Sequence, residues 1–125
     1  MVNKKILMIE DEVSFHKILT LYIKKEQLQF ELISAYDGNN GLEKAKQETP
    51  DVILLDLNLP GLPGEEVCRQ IRKDENIGET PIIMLTAKNT DTDRVIGKVI
   101  GANVYLTKPC ELKDLLKEIN RMVEI

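Results

Sequence analysis

Five short apolar runs recur along the chain, each followed by a segment with apolar residues at helical spacing, and this alternation decides the fold class. The first run, Ile6-Leu7-Met8-Ile9, precedes a helix expected over Val13–Lys25, with Ile18, Leu19, Tyr22 and Ile23 on one side. Phe30–Tyr36 reads as a second strand and Asp37-Gly38 as a turn; a helix from about Asn40 to Glu48 is then closed by Pro50. Val52-Ile53-Leu54-Leu55 is an unbroken apolar block ending on Asp56, the pattern of a strand buried on both faces. A Pro-Gly-rich loop, Leu59–Gly64, leads to a helix over Glu65–Lys73. Pro81–Leu85 is a fourth strand ending on Thr86, followed by a helix over Asp91–Ile100 with Gly101 as its C-cap. Val104-Tyr105-Leu106 is a fifth strand leading to Lys108-Pro109, and Leu112–Val123 is the last helix. Five strand–helix units in a row predict an α/β fold, a doubly wound parallel sheet covered by helices on both faces, in one domain spanning 1–125.

The bulk properties narrow the function. Hydrophobic residues at 42% and charged residues at 30% suit an ordinary globule. No apolar run approaches the roughly 20 residues of a membrane helix, and the start lacks a signal-peptide pattern, so the expected location is the cytoplasm. With a net charge of −4 and scattered Lys and Arg, no basic stripe is available for nucleic acid. Cys68 and Cys110 form no CxxC, and His16 is the one histidine, so neither a zinc site nor a redox pair is indicated.

In a doubly wound sheet, ligands gather at the C-terminal ends of the strands. Those ends carry Glu10-Asp11, Asp56 and Thr86, and the fifth strand leads to Lys108. Taken singly, each residue has a structural explanation: Asp11 as an N-cap, Glu10 or Glu12 as first-turn acids, Thr86 as a cap, Lys108 as a solvated charge. Taken together they are costly, because two carboxylates about 4 Å apart repel by roughly 4 kcal/mol at an effective dielectric of about 20. Three acids and one ammonium leave two negative charges, which one divalent cation cancels. An all-oxygen set favours a hard ion such as Mg²⁺. A carboxylate can act as nucleophile toward phosphorus, with Lys108 pairing with a phosphoryl oxygen and Thr86 donating a hydrogen bond. Positioning and electrostatics of this kind are most of what phosphoryl transfer demands.

The chain closely resembles the response-regulator receiver (CheY-like) family of two-component signalling. The likeness rests on Ile6–Glu12, on Leu54–Gly61 around Asp56, on Pro81–Ala87 and on Gly101–Pro109. It implies a flavodoxin-like, three-layer α/β/α fold with strand order 2-1-3-4-5. It implies that Asp56 is phosphorylated, that Asp11, Asp56 and the backbone carbonyl of Asn58 hold Mg²⁺ with Glu10 acting directly or through water, and that Lys108, Thr86 and the backbone of Ala87 contact the phosphoryl group. Thr86 and Tyr105 would act as the switch pair, the tyrosine ring turning inward as the threonine moves. Asn58 and Lys88 would flank the phosphoryl group and set its lifetime. The Lys108–Pro109 bond is expected to be cis. The implied partners are a sensor histidine kinase, as phosphohistidine donor, and an effector domain or protein meeting the face of the fourth helix, fifth strand and fifth helix.

Three departures from the family pattern stand out. Val104 replaces an acid used for one mode of phosphorylation-dependent homodimer, Cys110 replaces the usual Phe after Lys-Pro, and Pro63 occupies a place often taken by Asp. Two other readings remain in view: a small Mg²⁺-dependent phosphohydrolase turning over through an aspartyl phosphate, and a receiver-like binding module that never takes phosphate. Against the first, Asn58 stands where haloacid-dehalogenase-like phosphatases place a second Asp; against the second, Asp11, Asp56, Thr86 and Lys108 are all present. The expectation is a phosphoacceptor switch, not a turnover enzyme.

Overall fold

The computed structural model describes residues 3–87 and 90–123. Among them the chain runs β1 (Lys4–Ile9), α1 (Val13–Lys25), β2 (Phe30–Ala35), α2 (Gly38–Glu48), β3 (Val52–Leu55), α3 (Gly64–Lys73), β4 (Ile82–Thr86), α4 (Asp91–Ile100), β5 (Val104–Thr107) and α5 (Leu112–Val123). The strands form one parallel sheet in the order β2-β1-β3-β4-β5, as the resemblance implies.

Alternation along the central strands explains why they read as unbroken apolar runs. Leu7, Ile9, Ile53, Leu55, Ile82 and Met84 face one side of the sheet and pack with Ala45, Val67, Cys68 and Ile71 from α2 and α3. Ile6, Met8, Val52, Leu54, Ile83 and Leu85 face the other and meet Leu19 and Ile23 of α1 and Leu115, Leu116 and Ile119 of α5. With both faces covered, polar residues are tolerated where the strands end, and the site gathers there.

Two helices begin earlier than periodicity suggests. α2 starts at Gly38 rather than near Asn40, because Asp37 is its N-cap and accepts from the Asn40 amide at 2.7 Å. α3 starts at Gly64 rather than Glu65, with Pro63 at its N-cap. β2 stops at Ala35, one residue short of the expected Tyr36; β4 begins at Ile82 and includes Thr86, and β5 extends to Thr107. Gly101 caps α4 in the left-handed region, with φ 118°. No helix among the described residues is long and apolar enough to cross a membrane.

Candidate functional site

Strand register brings the acids together. Ile9 pairs with Leu55 across β1 and β3, so Glu10 and Asp56 occupy the next step beyond the ladder. The Asp56 amide donates to the Ile9 carbonyl at 3.1 Å, and the Glu10 amide to the Ala35 carbonyl at 3.0 Å, which holds both residues in line with their strands. Glu10 is 2% exposed and Asp56 6%, whereas Asp11 is open to solvent. Each of the three offers a carboxylate oxygen within 4.8 Å of the others. At that separation a pair repels by roughly 3.5 kcal/mol at an effective dielectric of about 20.

Lys108 supplies the internal compensation. Its Nζ lies 2.5 Å from Glu10 Oε1, 3.0 Å from Asp56 Oδ2 and 3.6 Å from Glu12 Oε1. The ring of Phe15, on α1, lies 5.5 Å from the same nitrogen. The Lys108 amide donates to the Thr86 carbonyl at 2.8 Å, and the peptide to Pro109 is cis, as expected. Burial pulls the Lys108 ammonium toward a lower pKa, but its bonds to Glu10 and Asp56 outweigh this and hold it above the ordinary lysine value. Burial dominates at Glu10 in the opposite sense, raising its carboxyl above the usual range despite the bond from Lys108, with the nearby Asp56 charge adding to the rise. Both shifts favour the protonated forms: the ammonium is stabilised by two carboxylates, while the Glu10 carboxylate is disfavoured mainly by its burial.

The loop after β3 shapes the carboxylate itself. The Asn58 amide donates to Asp56 Oδ1 at 3.1 Å, and the Gly64 amide to the Leu57 carbonyl at 3.2 Å. A Cβ on Gly64 would stand 2.3 Å from the Asp56 carbonyl oxygen and 2.7 Å from Leu57 Cα, so only glycine lets α3 start this close beneath the loop. Thr86 is fully buried at the end of β4, and Ala87 follows it, exposed. The Tyr105 ring is already turned inward, 7% exposed, with the Arg94 guanidinium carbon 5.7 Å from its centroid. Lys88 lies outside the described residues.

A match to the response regulator receiver domain runs over residues 6–120. The chain belongs to this family. The receiver domain is similar over 96% of its length to the chemotaxis response regulator CheY4 of Vibrio cholerae, with 31% identity, 98% of that chain covered and a TM-score of 0.86. It is also similar to the receiver domain of the sensor histidine kinase PA1611 from Pseudomonas aeruginosa PAO1, which has a magnesium ion coordinated in its active site cleft (30% identity, 98% and 99% coverage, TM-score 0.87). A third likeness is to the BeF3-activated N-terminal receiver domain of Klebsiella pneumoniae RstA (26% identity, 98% and 100% coverage, TM-score 0.87). Receiver domains belong to two-component systems and serve as signalling switches rather than turnover enzymes. The acidic cluster of this receiver domain is of the kind that binds a divalent metal.

Some bland explanations that each site residue admits alone do not hold in the receiver domain. Glu10 is buried rather than a solvated first-turn acid, Glu12 rather than Asp11 is the N-cap of α1, and Thr86 lies within β4. Three supports escaped sequence reasoning: Phe15 beside Lys108, Gly64 under Asp56, and His16, which is buried and touches both Glu10 and Ser34. The Gly-rich loop was a visible signal for Gly64, whereas nothing in local spacing reveals the other two. Burial holds the His16 imidazole below its usual pKa, the bond to the Glu10 carbonyl partly offsetting this.

Proposed function

We propose that this receiver domain accepts a phosphoryl group on Asp56 from the phosphohistidine of a sensor histidine kinase, in a Mg²⁺-dependent reaction, and signals to an effector through α4, β5 and α5. The observation that carries the reading is the buried Asp56 carboxylate, with oxygens of Glu10 and Asp11 within 4.8 Å and Lys108 Nζ at 3.0 Å. The all-oxygen donor set suits Mg²⁺, held by Glu10, Asp11, Asp56 and the Asn58 backbone carbonyl. When bound, the ion offsets negative charge on the transferring group.

The residues divide the remaining work. One Asp56 oxygen forms the bond to phosphorus while the phosphorus–nitrogen bond of the donor breaks and the imidazole leaves. Lys108 exchanges a carboxylate partner for a phosphoryl oxygen, and the Thr86 hydroxyl and Ala87 amide donate to the others. Phosphorylation then favours the state in which Thr86 engages the phosphoryl group and Tyr105 stays inward, which alters the α4-β5-α5 face. Asn58 and Lys88 flank the group and set its lifetime. Since Asn58 supplies no carboxylate to activate a water or protonate a leaving group, the domain acts as a switch and not as a phosphohydrolase. A single domain over 1–125, working in the cytoplasm, completes the reading.

Incubation with Mg²⁺ and acetyl phosphate should add one phosphoryl mass to the wild type and none to Asp56→Asn. Equal mass gain in the variant would show that the acceptor is elsewhere.

A further inference from the structure

His16 lies outside the acidic pocket yet is bonded to its backbone. Its Nε2 is 2.7 Å from the carbonyl oxygen of Glu10, and its Nδ1 is 2.8 Å from Ser34 Oγ on β2. The Tyr36 ring packs against the imidazole, tilted by 52° with centroids 4.5 Å apart. A carbonyl only accepts, so Nε2 carries a hydrogen, and in the neutral ring Nδ1 then accepts from the Ser34 hydroxyl. The Glu10 carbonyl thus selects the tautomer, and the Ser34 hydroxyl satisfies the nitrogen left as acceptor.

The carbonyl it holds is in a sensitive place. The β1–β2 ladder ends at the pair Ile9 and Ala35, and the Glu10 amide makes the last strand-like bond, to Ala35. The Glu10 carbonyl and the Asp11 amide share one rigid peptide plane, so its orientation sets the direction in which both acids leave the backbone. The Glu10 carboxylate is further tied by the Glu12 amide at 3.1 Å and by Lys108. His16 is the bond that reaches this plane from α1.

We propose that His16 is a positioning residue for the acidic pocket: held between the Glu10 carbonyl and the Ser34 hydroxyl, it keeps the Glu10–Asp11 peptide in the orientation that binds a divalent cation and prepares Asp56 for phosphorylation. This rests on the metal and phosphoacceptor reading above. Groups that hydrogen-bond to metal ligands typically contribute 10–100-fold in metal affinity. His16 acts through the backbone, so the lower end of that range is expected.

The test is a Mg²⁺ titration of the metal-free chain, followed by the amide resonances of Asp11 and Asp56, in wild type, His16→Leu, His16→Gln and His16→Asn. A glutamine amide reaches as far as Nε2 and can still donate to Glu10, whereas an asparagine amide reaches only to the Nδ1 position. His16→Leu and His16→Asn should bind Mg²⁺ about tenfold more weakly, and His16→Gln should recover most of the loss. A merely structural histidine would rank the variants by thermal stability instead, with no such split between Gln and Asn. Wild-type affinity in both His16→Leu and His16→Asn would overturn the assignment while leaving the phosphoacceptor reading intact; if His16→Leu does not fold, the Gln and Asn comparison decides. A wild-type chain that takes neither Mg²⁺ nor phosphoryl would overturn both.

Discussion

Lys108 and Asp56 stand on opposite sides of one electrostatic balance, and their removal should have opposite effects. Lys108 Nζ contacts the carboxylates of Glu10 and Asp56, both almost wholly buried. Taking the ammonium away leaves two buried acids facing each other without compensation, and Lys108→Met should cost roughly 3 kcal/mol of stability, as removal of one partner from a buried ion pair does. Asp56→Asn removes one repelling charge from the cluster and should raise stability by about 1 kcal/mol, since the lost attraction to Lys108 is offset by relief from Glu10 and Asp11. Both effects belong to the metal-free protein, so urea unfolding in EDTA is the measurement. An Asp56→Asn protein less stable than wild type there would show that the acids do not strain the fold. The gathering of Glu10, Asp11, Asp56, Thr86 and Lys108 was legible in the sequence, because each lies within two residues of the end of an apolar run. The bond from His16 to Glu10 was not, because it joins residues through the packing of α1 on the sheet, and helical periodicity only says which side of a helix is buried.

At the scale of the element, α4 is fastened to the sheet by few side chains. Gly97 is its buried residue, and it covers the Tyr105 ring. Arg94 adds a bond from Nη2 to Thr107 Oγ1 at 2.7 Å and lies beside the same ring. At the other end, Arg72 of α3 donates to the carbonyls of Gly101, Gly78 and Thr80, and Cys68 Sγ donates to the Ile100 carbonyl at 3.4 Å. Alanine in place of a mid-helix glycine normally gains about 1 kcal/mol. At Gly97 the new methyl would sit 2.6 Å from Tyr105 Cδ2 and 2.8 Å from Cε2, so the ring could accommodate it only by leaving its buried, inward position. Gly97→Ala should therefore lower stability by about 1 kcal/mol, the usual scale of mild overpacking. In a Tyr105→Ala background the same change should become stabilising, a coupling that a double-mutant cycle reads directly. A Gly97→Ala protein with a higher denaturation midpoint than wild type would contradict this packing. Helix starts at Gly38 and Gly64 were misread in the sequence for a related reason: glycine is a poor helix former, and what places it there is cap chemistry at Asp37 and close approach under Leu57, neither of which periodicity registers.

Across the whole molecule, burial is concentrated in the three central strands and thins toward α4. β1 from Ile6 onward, β3 and β4 contribute to the apolar layers on both faces of the sheet, so these residues' amides cannot reach water without separating a core. The alternation of apolar runs and helical segments was enough to predict this layering, since a strand buried on both faces has to be apolar throughout. Which helix would be held loosely was not predictable, because α4 shares the same periodicity as the others and differs in how little it covers. Val95 is 61% exposed and Val99 78%, so apolar residues that would anchor the helix face solvent instead. Local opening requires only the contacts of the segment concerned to be lost, so its free energy falls with the apolar area that segment buries. Native-state hydrogen exchange should then divide the fold: amides of β1 from Ile6 onward, of β3 and of β4 should exchange only through global unfolding, and those of α4 through an opening roughly 2 kcal/mol or more easier. The low cost matters for a receiver domain, because a phosphoryl group can bias only a segment whose alternative arrangement lies within its differential binding energy. Equal protection in α4 and β3 would place the helix inside the cooperative core, and the signalling change would then have to be sought in another element.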